Sequence, residues 1–398
     1  MPTGGRFIFR MRAVLTVLTL WAAGLGAAAQ FGKISVLYQT LGLEYAAHAG
    51  FGIGVMVSIV GIVGLIFGTT AGLLVARIGP RRAILTALIL GAAISAIQST
   101  FPPYPVMMAT RVLEGFSHLA IVVVGPTAIA TSAPIRHQGL AMTLWSSFFG
   151  LTYAVLAFAA PGLIAAHGPA GLFTLHALWM LAIAALLFIL MPPDPKSPRI
   201  AGQGGLIAQH ATIYASPRIA APAMGFGCYT ITYVAVLTLL PAAATPGWGG
   251  FIAVAMPLIS IALSLTLGVW ALKHISAFRL VQLGFAAAII ASFGLWAAWG
   301  TGAVESGFAL ALAASLGIVQ GASFASIPQL NAAANDRARA AGAIAQLGNL
   351  GTTTGTPLLT LLMAQFGVGG LAVFLVGFSG LGIVIHAVQA RRRATFSG

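Results

Sequence analysis

Three ionisable residues stand inside long apolar stretches of this chain: Lys33, Arg111 and Glu114. Of the five acids, Asp194 and Asp336 fall in polar connectors, Glu44 and Glu305 lie near the ends of apolar stretches, and only Glu114 lies well inside one. Arg111, Glu114, Gly115 and His118 follow the spacing i, i+3, i+4, i+7, which is one stripe of a helix. Gln30 and Lys33 are three apart and share a face of another helix. A guanidinium recognises a carboxylate as a two-pronged fork, and an ammonium adds a compact second charge. The set therefore reads as a site for a small anion, with Lys33, Arg111 and Gln30 binding it. A carboxyl between two cations can exchange a proton with them, which makes Glu114 the proton-coupling candidate and His118 a secondary one. The competing reading is that Glu114 only neutralises the cations and joins two helices.

A second polar set is uncharged. It comprises Gln320, then Gln346, Asn349 and Thr353 at helical spacing, and Tyr229 with Tyr233 four residues apart. Amides, hydroxyls and aromatic rings suit a small organic solute, and they equally suit hydrogen bonds between helices. Met224 and Cys228 are also four apart, with Met256 further on; soft sulfur of this kind selects Cu(I). The single cysteine excludes an internal disulfide framework, and there is no CxxC, HExxH or phosphate-binding glycine loop. No cofactor, enzymatic activity or nucleotide drive is expected.

These residues need an unusual scaffold. Only 6% of the 398 residues are charged, 59% are hydrophobic, and the mean hydropathy is +1.00. That excludes a soluble enzyme and a disordered chain. Apolar segments fall near 13–39, 49–76, 83–100, 104–131, 140–166, 171–191, 218–243, 249–272, 279–300, 304–330, 338–366 and 370–390. Each suffices for a membrane-spanning helix, since a span needs about 20 residues. The expected class is an all-α membrane protein of twelve spans. A net charge of +14 would suggest nucleic acid in a soluble protein, but here it orients the chain. Every Lys and Arg except Lys33 and Arg111 lies in the tails or in connectors on one side, Arg136, Lys196 and Arg199 among them. Both termini are thus expected in the cytoplasm, in a bacterial inner membrane, with no nucleic-acid partner. A cleaved leader ending near 27–29 is the rival reading and would leave eleven spans. Counting 1.5 Å per residue from the outer ends puts Arg111 about 10 Å, Glu114 about 15 Å and Lys33 about 9 Å deep, close to one level.

The polar stretch 192–217 separates two halves, 1–191 and 218–398, as a cytoplasmic linker would. Gly72 to Arg77 recurs as Gly268 to Lys273, and Arg111 to Gly115 recurs loosely as Gly317 to Gly321. Gly68-x-x-x-Gly72 and Gly351-x-x-x-Gly355 suggest close helix contacts. The loop holding Gly72, Arg77, Gly79, Arg81 and Arg82 resembles the Gly-x-x-x-Asp-Arg-x-Gly-Arg-Arg signature of the major facilitator superfamily, and Arg111 with Gly115 is similar to its Arg-x-x-x-Gly motif. The resemblance implies two pseudo-symmetric six-helix bundles with alternating access, a gating role for the loop, and a monomeric secondary transporter of a small-molecule substrate, with proton coupling. Ala76 stands where the family has an acid that latches one state, so Arg77 is expected to act against helix-end carbonyls instead. Some members carry copper on the seventh and eighth spans, which implies Met224, Cys228 and Met256 as the alternative site. A non-transporting receptor or assembly factor on the same scaffold is the third reading.

Overall fold

A computed structural model describes residues 3–134, 137–194 and 206–395. Arg136, Lys196 and Arg199, with most of the middle of the 192–217 linker, lie outside the described residues. The chain is helical throughout the rest: α1 (Thr3–Val36), α2 (Tyr38–Glu44), a 3-10 turn (Ala46–His48), α3 (Phe51–Ser58), α4 (Gly61–Phe67), α5 (Ala71–Ile78), α6 (Pro80–Gln98), α7 (Tyr104–Ser132), α8 (Gln138–Ser146) and α9 (Phe148–Leu190). Then follow α10 (Leu206–Ala215), α11 (Ala220–Ala243), α12 (Gly249–Leu263), a π-turn (Ser264–Gly268), α13 (Val269–Ala271), α14 (Ala277–Ala297), α15 (Ala303–Leu330), α16 (Ala334–Phe366) and α17 (Val368–Thr395).

Among the described residues nine helices are long and apolar enough to cross a membrane. One of them, α9, is two helices that meet at Gly168, whose φ of 68° no ordinary helix position takes, and Pro169 follows at once. The expected second crossing is split into α3, α4 and α5 by the glycine-rich sequence, and the eleventh is the more polar α16. With these the helices account for the twelve expected segments. Large side chains such as Phe188, Ile189 and Ile290 are exposed, which suits lipid contact rather than water.

Contacts group the chain into two compact units: Met1–Ile34 with Thr70–Gly202, and Ser35–Thr69 with Gln203–Gly398. The first has a core of Leu20, Ile84, Leu88, Ile121, Met180 and Leu187. In the second, α3 and α4 lie against α16. A Cβ at Gly54 would meet Pro357, one at Gly61 would meet Thr353, and one at Gly64 would meet Asn349, so glycine is what permits this approach. Gly351 and Gly355 face Thr230 and Ile231 of α11 equally closely, as their spacing suggested. Gly68 also packs, against Gln346, whereas Gly72 has nothing within 4 Å and makes no such contact. Glu305, in the first turn of α15, is fully buried and ties down its loop by accepting from the Thr245 N–H (3.2 Å), the Thr245 hydroxyl and the Gly300 N–H (2.9 Å).

Candidate functional site: a buried charge cluster

Four helices of the first unit turn polar side chains toward one another. α1 supplies Gln30 and Lys33, α6 supplies Ser95 and Gln98, α7 supplies Thr110, Arg111, Glu114 and Ser117, and α9 supplies His176. α1, α6 and α7 contribute residues at i, i+3 or i+4 spacing, so one face of each suffices. Lys33, Arg111 and Glu114 are 0% exposed. Lys33 Nζ donates to Glu114 Oε1 at 2.6 Å and to Ser95 Oγ at 2.6 Å, and lies 3.4 Å from His176 Nδ1. The ammonium also sits 5.4 Å from the centre of the Phe173 ring, where the π face attracts a cation. Arg111 Nη1 donates to Glu114 Oε2 and, at 2.7 Å, to the Gln30 carbonyl. Gln98 Nε2 donates to the same carboxylate oxygen at 3.2 Å and to Thr110 Oγ1 at 3.1 Å. Both carboxylate oxygens are therefore filled. Two cations share one anion, leaving the fully charged cluster one positive charge in excess.

A supporting layer fixes these groups. Gln30 Nε2 donates to Ser117 Oγ at 2.9 Å, and Ser117 donates to the Ala87 carbonyl at 2.7 Å. Gly91 makes room: a Cβ there would stand 2.7 Å from Ser117 Oγ and 2.6 Å from the Met180 methyl. The side-chain carbonyls of Gln30 and Gln98 are buried without a hydrogen-bond partner among the described residues. His118 is buried beside the cluster with Nδ1 3.1 Å from the Ala27 carbonyl and its ring edge-on to Phe31. It does not contact Glu114 through any of these bonds. The depth estimate from the sequence thus brings Lys33, Arg111 and Glu114 together correctly. Ser95, Gln98 and His176 were missed, although Ser95 and Gln98 share the i, i+3 spacing that drew attention to Gln30 and Lys33.

The loop between α5 and α6 is organised by a distant acid. Asp194 accepts from the backbone N–H groups of Arg81 (2.8 Å) and Arg82 (3.0 Å), so it caps the start of α6. Gly79, at φ 98°, allows the turn immediately before Pro80. The expectation for Arg77 requires correction. It is exposed, and the residue that reaches helix-end carbonyls is Arg81, which donates to Phe188 O at 2.7 Å and lies over the Phe188 ring. Arg12 donates to Leu190 O at 3.1 Å on the same helix end. Arg77 lies in the last turn of α5, whereas Arg81 lies beyond the Gly79 turn in the first turn of α6, where its side chain reaches Phe188.

The sequence profile described as Major Facilitator Superfamily matches residues 15–355. The chain belongs to the major facilitator superfamily. It is accordingly an integral membrane protein and a secondary transporter, not an enzyme. Among solved structures, that of a D-xylose-proton symporter matches with a TM-score of 0.73 and 17% identity, covering 94% of this chain and 97% of the symporter's. The sequence has no significant match among curated proteins.

Within this superfamily member, the residues expected to form the second polar set are spread over several packing contacts of the second unit. Tyr229 and Tyr233 are buried and stacked, with ring centres 5.1 Å apart. Gln320 is half-buried on α15. Gln346 is a hub: its amide donates to Leu65 O at 2.9 Å and to His210 Nε2 at 2.6 Å, and accepts from Tyr214 OH at 2.8 Å. Burial pushes the Tyr214 phenol up to about 12, which keeps it a donor. Asn349 donates to Ala345 O of its own helix and packs on Gly64. His210 and Tyr214, on α10, were also missed; two aromatic polar residues four apart in an otherwise plain connector were the available signal. Among the sulfur residues, Met224 Sδ accepts from Gln389 Nε2 at 2.9 Å, Cys228 is buried, and Met256 is buried on α12. Among the described residues there is no group of three or more His, Cys, Asp or Glu that could hold a metal.

Proposed function

We propose that this transporter moves a small organic anion coupled to protons. One observation carries the reading: two buried cations share a single buried carboxylate. An uncompensated charge inside a membrane protein costs several kcal/mol. The excess can be removed by binding an anion or by losing a proton, and the two options are linked through the same groups. Arg111 and Lys33 read the negative charge, with Gln30 beside them. The unpartnered carbonyls of Gln30 and Gln98 add acceptors for a hydroxyl or acid proton of the solute. Proton coupling in the structurally similar D-xylose-proton symporter supports the coupled half of the reading. Copper transport is less well supported, because the Met224 thioether already serves as an acceptor for Gln389.

The orientation follows from the basic connectors: both termini in the cytoplasm, in a bacterial inner membrane. Alternating access of halves 1–191 and 218–398, by a monomer, completes the proposal. Proteoliposomes offered a panel of aliphatic, polyhydroxy and aromatic monocarboxylates provide the test. Uptake of at least one is expected, with a loss of at least tenfold in Arg111→Ala, since a charge-assisted pair contributes about 1.5–3 kcal/mol. Equal uptake by wild type and Arg111→Ala across the panel would remove the anion reading.

A further inference from the structure

The hydrogen-bond directions around Lys33 identify which group carries the proton. His176 Nε2 lies 2.9 Å from the Gly26 carbonyl, which can only accept, so Nε2 bears the hydrogen and Nδ1 presents a lone pair. Ser95 Oγ lies 2.6 Å from that lone pair and 2.6 Å from Lys33 Nζ. With Lys33 as an ammonium, Lys33 donates to Ser95, and Ser95 donates to His176. With Lys33 as an amine, the Ser95 hydroxyl turns to donate to the nitrogen lone pair, and a lysine N–H at 3.4 Å takes over His176 Nδ1. The bond from Lys33 to Glu114 Oε1 survives in both states. Every group is satisfied either way without movement of a heavy atom.

Glu114 has no such freedom. Its Oε1 receives Lys33, and its Oε2 receives Arg111 and Gln98. Protonating it would displace a donor and leave two buried cations unopposed. Arg111 cannot lose its proton under working conditions. His118, the remaining titratable group of α7 near the cluster, is directed at the Ala27 carbonyl.

Resting on the anion reading above, we propose that Lys33, not Glu114, carries the transported proton: an amine when the site is empty and an ammonium when a monocarboxylate is bound. Ser95 and His176 are its positioning residues. The balance is simple. In the empty state Arg111 and Glu114 cancel. In the loaded state the carboxylate cancels the Lys33 ammonium, whose added proton enters and leaves with the solute. One proton therefore accompanies each monovalent anion, and no net charge moves.

In proteoliposomes, carboxylate uptake should alkalinise the outside medium one-for-one, and an imposed potassium diffusion potential should leave its rate unchanged. In Lys33→Arg, with a fixed charge, a pH gradient should no longer accelerate carboxylate uptake, and the uptake that remains should no longer alkalinise the outside medium. If that variant fails to fold, Ser95→Ala and His176→Asn provide the second route. Ser95→Ala removes the oxygen that accepts from the ammonium, and His176→Asn removes the acceptor that keeps the Ser95 hydrogen turned away from it; each should move the alkaline limb of uptake down by about one pH unit, with Ser95→Thr restoring the first. The chain contains three lysines, so spectra of protein labelled with 15Nζ-lysine have three side-chain signals. The Lys33 signal, assigned by its loss in Lys33→Arg, should be an amine in empty protein and an ammonium after addition of the transported carboxylate at the same pH. An ammonium signal in both conditions, or pH-driven uptake in Lys33→Arg, would overturn the proposal even with robust carboxylate transport. A Lys33 amine in protein that moves none of the carboxylates would remove the anion reading and leave the proton-carrying role standing.

Discussion

The two compact units handle polarity in different ways. The first concentrates charge: Lys33, Arg111 and Glu114 sit on facing helices with no solvent contact. The second keeps amides and hydroxyls apart and uses them mainly to seat helices, as Gln346 does for α10, α4 and α16. Its ion pair at Asp336 and Arg339 is partly exposed, 4.0 Å long and within one helix. A buried amide that loses a partner costs about 1–3 kcal/mol, whereas a buried charge left alone costs more. On the proposal above, the charge cluster of the first unit is the part of the molecule that changes state together with a solute or a proton. Amides can hold the architecture while that happens.

Four substitutions press on this contrast. Glu114→Gln has the largest expected effect. It strands the buried Arg111 guanidinium and should lower stability by about 3–5 kcal/mol, read as a large drop in the thermal midpoint of detergent-purified protein and loss of uptake. A variant as stable as wild type would mean that Arg111 does not rely on Glu114 as its counter-charge. Gln346→Leu comes next. It should cost about 1–2 kcal/mol while leaving the pH dependence of uptake where it was. A shifted pH profile there would show that the second unit also handles protons. Arg77→Ala and Arg81→Ala form the mildest pair. Arg81→Ala should lose a few tenths of a kcal/mol to about 1 kcal/mol by freeing the end of α9, and Arg77→Ala should stay within about 0.5 kcal/mol of wild type. The reverse order in a thermal-shift assay would restore Arg77 as the latch.

The central ion cluster was legible because antiparallel helices of known rise can be measured from their outer ends, and charges in apolar runs are conspicuous. His176 was not. One histidine in an apolar helix carries no mark of its partner, and Ser95 belongs to another helix altogether. The amides of α16 were legible as a polar face but not as packing, since an amide serves a solute and a neighbouring helix equally well. The short helices α3 to α5 were hidden for a related reason: the glycines that let α16 approach also interrupt an apolar run that reads as continuous. The Arg81 contact was lost in a cluster of three arginines whose side-chain reach depends on where α6 begins.

Asp194 grips α6 through main-chain hydrogens, not through the arginine side chains that carry them. The segment that follows the ninth helix is thus clasped to the turn between α5 and α6 by atoms that nearly every amino acid possesses. Sequence drift at positions 81 and 82 would leave that clasp intact, while loss of the one acid at 194 would release both partners together.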